Sequence, residues 1–151
     1  PVVPVYIFDE ALSKEWALGT ASRWWLHQSL KVLQDRLKCQ GVQLILKKGE
    51  TTEVLFELAT NLGASAVYCS RQYQPWSAPL EERLNEKLSA CGISVKRYPG
   101  ALLFEPEQIK TGSGTPFRVF TPFWRSCLKR QEPKEASRLP ALMGIDEQRP
   151  H

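Results

Sequence analysis

GVQLILKKGETTEVLFELATNLGASAVYC, residues 41–69, reads as a strand, a helix and a second strand joined by short connections. Val42 to Leu46 is an apolar run of strand length. Thr51 offers a hydroxyl to cap a helix whose apolar face is Leu55, Leu58 and Leu62, and Gly63 ends it. Ala66 to Cys69 is then the next strand. The same rhythm extends outward in both directions. Val2 to Phe8 reads as a buried strand closed by Asp9, and Ala21 to Gln40 repeats Leu26, Leu30, Leu33 and Leu37 at helical spacing before Gly41. On the other side, a loop leads to Trp76, Ser77 caps a helix with Leu80, Leu84 and Leu88 on one face, Gly92 stops it, and Ile93 to Tyr98 is a fourth strand. Strands alternating with helices across short connections require right-handed crossovers. The predicted class is α/β, a Rossmann-like three-layer fold with a mostly parallel sheet.

The 151 residues carry a formal charge of +4 and 42% hydrophobic composition, enough for one domain with its own core. Val2 to Phe8 is the longest apolar run; it is interrupted by Pro4 and too short to span a bilayer, so no membrane association is expected. Cys39, Cys69, Cys91 and Cys127 are widely spaced without a C-x-x-C pair, which points to reduced thiols in a cytoplasmic protein and against a zinc site. Basic residues outnumber acidic ones between Arg125 and Arg138, a stretch expected to be a solvated tail. From Glu132 onward the prolines, charges and missing periodicity suggest a linker.

No G-x-G-x-x-G or G-x-x-x-x-G-K-[ST] loop follows any predicted strand, and no G-x-S-x-G elbow occurs, so the common dinucleotide, P-loop and hydrolase chemistries have no carrier. In open α/β sheets, ligands gather beyond the carboxyl ends of strands. Those ends are Phe8 and Asp9, Lys47 to Glu50, Ser70 to Trp76, and Tyr98 to Gly100. SRQYQPW, 70–76, combines a hydroxyl, a guanidinium, two amides and two aromatics, a set that suits a planar heteroaromatic ligand and equally an ordered loop held by its own proline and rings. In TASRWWLH, 20–27, Trp25 is expected on the buried side with Leu26, and Arg23 is a candidate ligand contact. TPFRVFTPFWR, 115–125, gathers Phe117, Phe120, Phe123 and Trp124 around a helix expected to start at Phe123 behind Thr121 and Pro122. Such an aromatic surface needs cover.

PVVPVYIFDE (1–10), ASRWWLHQSL (21–30), AVYCSRQYQPW (66–76), LLFEP (102–106) and GTPFRVFTPFWR (114–125) together resemble the N-terminal α/β domain of the DNA photolyase and cryptochrome family. The resemblance implies an antenna domain over residues 1–131 and the start of an interdomain linker over 132–151. It implies a fragment at both ends, lacking the family's first, central strand and the C-terminal helical domain. That helical domain would hold FAD, bind damaged DNA and split cyclobutane pyrimidine dimers by light-driven electron transfer. The α/β domain would hold a flavin, deazaflavin or folate antenna chromophore. Asp9 and Arg23 match positions near that chromophore, and Phe8, Gln72, Gln74 and Trp76 complete the candidate site. Where many members carry acidic residues after the third strand, Gln72 and Gln74 bring amides and no charge. The 115–125 aromatics would face the helical domain. The alternatives are the same domain of a cryptochrome photoreceptor without repair activity, or a stand-alone nucleotide-binding α/β protein.

Overall fold

The computed structural model describes residues 1–12 and 17–130; the expected linker at 132–151 lies outside them. Strand β1 (Val5–Phe8) leads to helix α1 (Thr20–Lys38), β2 (Ile45–Lys48), α2 (Thr51–Asn61), β3 (Ala66–Ser70), α3 (Ser77–Ser89), β4 (Ser94–Tyr98), a 3-10 turn at Pro106–Gln108, and α4 (Phe120–Leu128). This is the α/β alternation expected from the sequence. Strands β1 and β2 run parallel, with Val5 beside Ile45 and Phe8 beside Lys48. Strands β3 and β4 form a second pair. The Ser94 N–H donates to the Ser65 carbonyl at one end of it and the Arg71 N–H to the Tyr98 carbonyl at the other, so these strands also run in one direction. No described strand joins the two pairs.

The chain divides into two compact units. One includes Pro1–Val67 and Tyr73–Val95, the other Tyr68–Gln72 and Lys96–Arg138. In the first unit, Ala59, Leu84, Leu88 and Ile93 form the buried centre, with Leu55, Phe56, Val67 and Val95 packed against it. The α3 face in this contact is the one the sequence spacing located; on α2 that spacing located Leu55, while the buried residue is Ala59 and Leu62 is exposed. Leu88 is fully enclosed. Gly41, Gly63 and Gly92 each follow a helix with φ of 71°, 57° and 74°, a left-handed conformation that ends the helix without a Cβ penalty.

Helix α1 behaves differently. It has the same leucine periodicity but buries none of its residues. Trp24 and Trp25 are 62% and 68% exposed, which corrects the expectation that Trp25 packs with Leu26. The physical reason is that α1 has no extensive packing partner among the described elements. A periodic face locates the side of a helix that favours burial; it does not supply what buries it.

In the second unit, Arg71 ties the end of β3 to the segment after β4. Its guanidinium donates to Glu105 at 2.7 Å and to both carboxylate oxygens of Glu107 at 2.8 and 2.5 Å. Gly100 lies so close that a Cβ there would meet the Ser70 Cβ at 3.0 Å and the Arg71 carbonyl at 3.3 Å, so a side chain at this position would push the two segments apart. Glu105 and Gln108 cap the 3-10 turn reciprocally, and the Arg130 guanidinium donates to the Gln108 carbonyl. Helix α4 begins at Phe120 rather than at Phe123, which puts Pro122 in the first turn, where its missing N–H costs nothing. Phe120 stacks on Trp124 at 6.3 Å and meets Phe123 at 6.4 Å, while Phe117 packs edge-on against Phe123. Phe120 remains 70% exposed.

The hydrogen bonds from Arg71, reinforced by its charge, hold the Glu107 carboxyl down to about 2 from 4.5. A depressed carboxylate contributes to folding fully above its unfolded value and loses that contribution as the pH falls through its folded value. The stability difference between the wild type and Glu107→Gln is therefore expected near neutral pH and should disappear as the pH drops from 4.5 through about 2. Carboxyl NMR titration checks the cause directly, since Arg71→Gln should return Glu107 toward 4.5.

Candidate functional site

The carboxyl end of β1, the segments that follow it and the amino ends of α1 and α2 line a cavity of about 180 Å³ in the first unit. Among the described residues its wall includes Phe8, Asp9, Glu10, Leu18, Arg23 and Thr51. This is where a parallel sheet places its ligand crevice, because the chain leaves every strand there and helix amino termini point back toward it.

Asp9 organises the floor. One carboxylate oxygen accepts the backbone N–H groups of Ala11 and Leu12, both at 3.1 Å. The other accepts the N–H of Thr51 at 2.8 Å and its hydroxyl at 3.0 Å. Four donors on two oxygens fill the carboxylate and fasten β1 to the first turn of α2. The cap expected from Thr51 thus comes from a residue 42 positions away, with Glu50 adding a second by accepting the Glu53 N–H at 2.7 Å. Negative charge at a helix amino terminus also suits the helix dipole.

Arg23 and Glu10 form the polar wall. The Arg23 guanidinium donates to the Leu18 carbonyl at 2.8 Å and to Glu10 at 3.0 Å, and it lies 5.6 Å from the centre of the Phe8 ring. Lys48 pairs with the second Glu10 oxygen at 2.7 Å and sits 6.0 Å from the same ring. Two cations thus lie over one aromatic ring, an arrangement worth about 0.5–1 kcal/mol each at exposed sites. The hydrogen bond and charge of Lys48, with help from Arg23, lower the pKa of Glu10. Burial raises that of Tyr6 on the cavity wall. The Nη2 of Arg23 has no partner among the described residues, so it keeps donor N–H groups for a ligand.

The structure therefore gathers Phe8, Asp9 and Arg23, three of the six residues singled out from the sequence. Gln74 and Trp76 lie at the amino end of α3, outside the described lining of the cavity. There the Ser77 hydroxyl donates to the Gln74 side chain at 3.1 Å, and Trp76 is the residue that precedes the helix. Gln72 belongs to the second unit and is exposed. The SRQYQPW loop spends its guanidinium on Glu105 and Glu107 and one amide on Ser77, so much of its polarity holds the loop itself. Glu10 was not foreseen as a site residue, and Lys48 lay within the Lys47–Glu50 strand end without being singled out. The signal was the parallel register that puts Lys48 beside Phe8.

The family model for DNA photolyase matches residues 1–142. A deoxyribodipyrimidine photo-lyase of Agrobacterium fabrum is 39% identical over 133 residues, which are 88% of this chain and 27% of that protein. Cryptochrome-2 of Arabidopsis thaliana is 37% identical over 128 residues, 84% of this chain and 21% of that protein. Among solved structures, a class III photolyase from Agrobacterium tumefaciens superposes with a TM-score of 0.88 at 36% identity, covering 99% of this chain and 30% of that one. The chain belongs to the DNA photolyase family. It spans roughly a quarter of the length of the curated relatives it matches. No helix among the described residues is long and apolar enough to cross a membrane.

Proposed function

We propose that this chain is the N-terminal antenna domain of a deoxyribodipyrimidine photolyase, occupying residues 1–131 with an interdomain linker after it. In this reading a helical domain elsewhere in the protein holds FAD, binds damaged DNA and splits cyclobutane pyrimidine dimers with light. The observation that carries it is the match of nearly the whole chain to the family, together with a crevice at the strand ends. The α/β domain would receive a flavin, deazaflavin or folate chromophore that passes excitation energy to the FAD. A cavity of about 180 Å³ is smaller than the roughly 300–1,000 Å³ that encloses a whole ligand, so it suits one edge of a planar group. The residues fit such an edge. Among the described residues Arg23 keeps Nη2 donors unengaged, Glu10 offers an acidic neighbour, and Phe8 gives an apolar face. Asp9, filled by three backbone N–H groups and the Thr51 hydroxyl, would shape the site.

The test is made on the full-length protein. Its absorbance spectrum should show flavin bands with an added antenna band, and blue light should clear pyrimidine dimers from an oligonucleotide. Arg23→Ala should remove the antenna band and the repair driven at antenna wavelengths, while repair driven by light absorbed by FAD persists. The 151-residue chain alone should clear no dimers. A full-length protein that carries flavin and leaves dimers intact would replace this reading with the cryptochrome one, which the 37% identity to Cryptochrome-2 makes the natural rival.

A further inference from the structure

The charge of the chain is unevenly placed. Within the described residues of the second unit, eight lysines and arginines stand against only Glu105 and Glu107, and Arg71 engages both of those carboxylates. The rest of the unit therefore carries a surplus of positive charge larger than the +4 of the entire chain. On β3 and β4, Tyr68 and Ser70 alternate onto one face with Lys96 and Tyr98, and all four are exposed. Tyr68 and Tyr98 are 62% and 54% exposed, large values for rings of this size. Their centroids lie 6.2 Å apart with planes only 18° from parallel, and the Lys96 ammonium sits 5.5 Å from the Tyr68 ring centre.

We propose that the Tyr68–Tyr98 pair with Lys96 is a stacking platform for single-stranded nucleic acid. Two near-parallel rings open to solvent offer flat surfaces to successive bases, and every base has a face to stack. Lys96 takes a phosphate, and the net positive charge of the unit favours a polyanion. A purely acidic protein partner would use the charge and leave the stacked rings without purpose; bases and phosphates together use both. The platform lies in a different unit from the Phe8–Arg23 crevice and does not depend on the identity of any chromophore.

The experiment is fluorescence anisotropy of a labelled oligothymidylate titrated with the 151-residue chain at low salt. Binding is expected with a dissociation constant on the order of 10⁻⁶ to 10⁻⁴ M, weakening with a log–log salt slope of about −0.7 per phosphate engaged. Tyr68→Ala and Tyr98→Ala should each weaken it about tenfold, because stacking on each ring is lost. Tyr68→Phe should bind like the wild type, which separates stacking from a folding defect. Lys96→Gln should weaken binding a few-fold and flatten the salt slope by about 0.7. No binding at low salt overturns the proposal. So does binding that is equal in the wild type and both alanine variants, since the chain would then attract any polyanion. Binding to phosphatidylserine vesicles in place of the oligonucleotide would also overturn it, and would make the patch a membrane surface.

Discussion

Replacing Asp9 by alanine is expected to destabilise the protein by about 2–3 kcal/mol, roughly two capping interactions at the upper half of their usual range. The carboxylate closes the turn at Ala11 and Leu12 with one oxygen and holds the N–H and hydroxyl of Thr51 with the other. Removing it leaves the Leu12 and Thr51 donors part-buried without their acceptor and detaches β1 from the start of α2. Asp9→Asn keeps one acceptor oxygen and turns an N–H₂ toward donors, so it should recover less than half of the loss. Urea unfolding read by circular dichroism measures both, with the midpoint falling and the slope unchanged. A loss below about 0.5 kcal/mol would mean that water replaces the carboxylate at no cost, and that Asp9 is free to serve a ligand after all.

Leu88→Ala is the second large effect, about 3 kcal/mol. Leu88 is the one side chain that is completely enclosed among the described residues, and it sits with Ala59, Leu84 and Ile93 where α2 and α3 meet. Truncation removes its transfer free energy and leaves a cavity that neighbours on three elements cannot all collapse into. Leu88→Met, similar in volume, should cost less than about 1.5 kcal/mol. Leu33→Ala on α1 provides the contrast. Leu33 is 43% exposed despite an equivalent place in its leucine repeat, so its loss should stay within about 0.5 kcal/mol. Equal losses at the two positions would show that α1 is packed in solution in a way its exposed face does not reveal.

That contrast also shows what could be read in advance. The spacing of Leu80, Leu84 and Leu88 named the buried face of α3 because both sides of that contact lie in the chain. On α2 the same logic found Leu55 and overlooked Ala59, whose small side chain gives a weak hydropathy signal while admitting close helix packing. The spacing of Leu26, Leu30, Leu33 and Leu37 is as regular and leads to no buried residue, since periodicity records a preference and burial needs a partner. Boundaries moved where tertiary contacts intervened. Val42 and Leu44 are buried at 4% each, yet the ladder begins only at Ile45, and α4 starts three residues before its expected position. In the crevice, Phe8, Asp9 and Arg23 were legible as residue types at strand and helix ends. Their division of labour was not: which carboxylate caps and which one pairs depends on Thr51 and Lys48, brought in by a register that no local pattern specifies.

Among the described residues the ladder of β1 has one partner, β2. Its sequence, Val5-Tyr6-Ile7-Phe8, is uncharged and free of proline, and its second edge meets no described strand. Natural sheets usually blunt such an edge with a lysine, a proline or a bulge, and this one carries none of them. At high concentration such an edge is expected to add a strand from another copy of this chain, which light scattering would show as a mass that rises with concentration while the circular dichroism of the fold is unchanged.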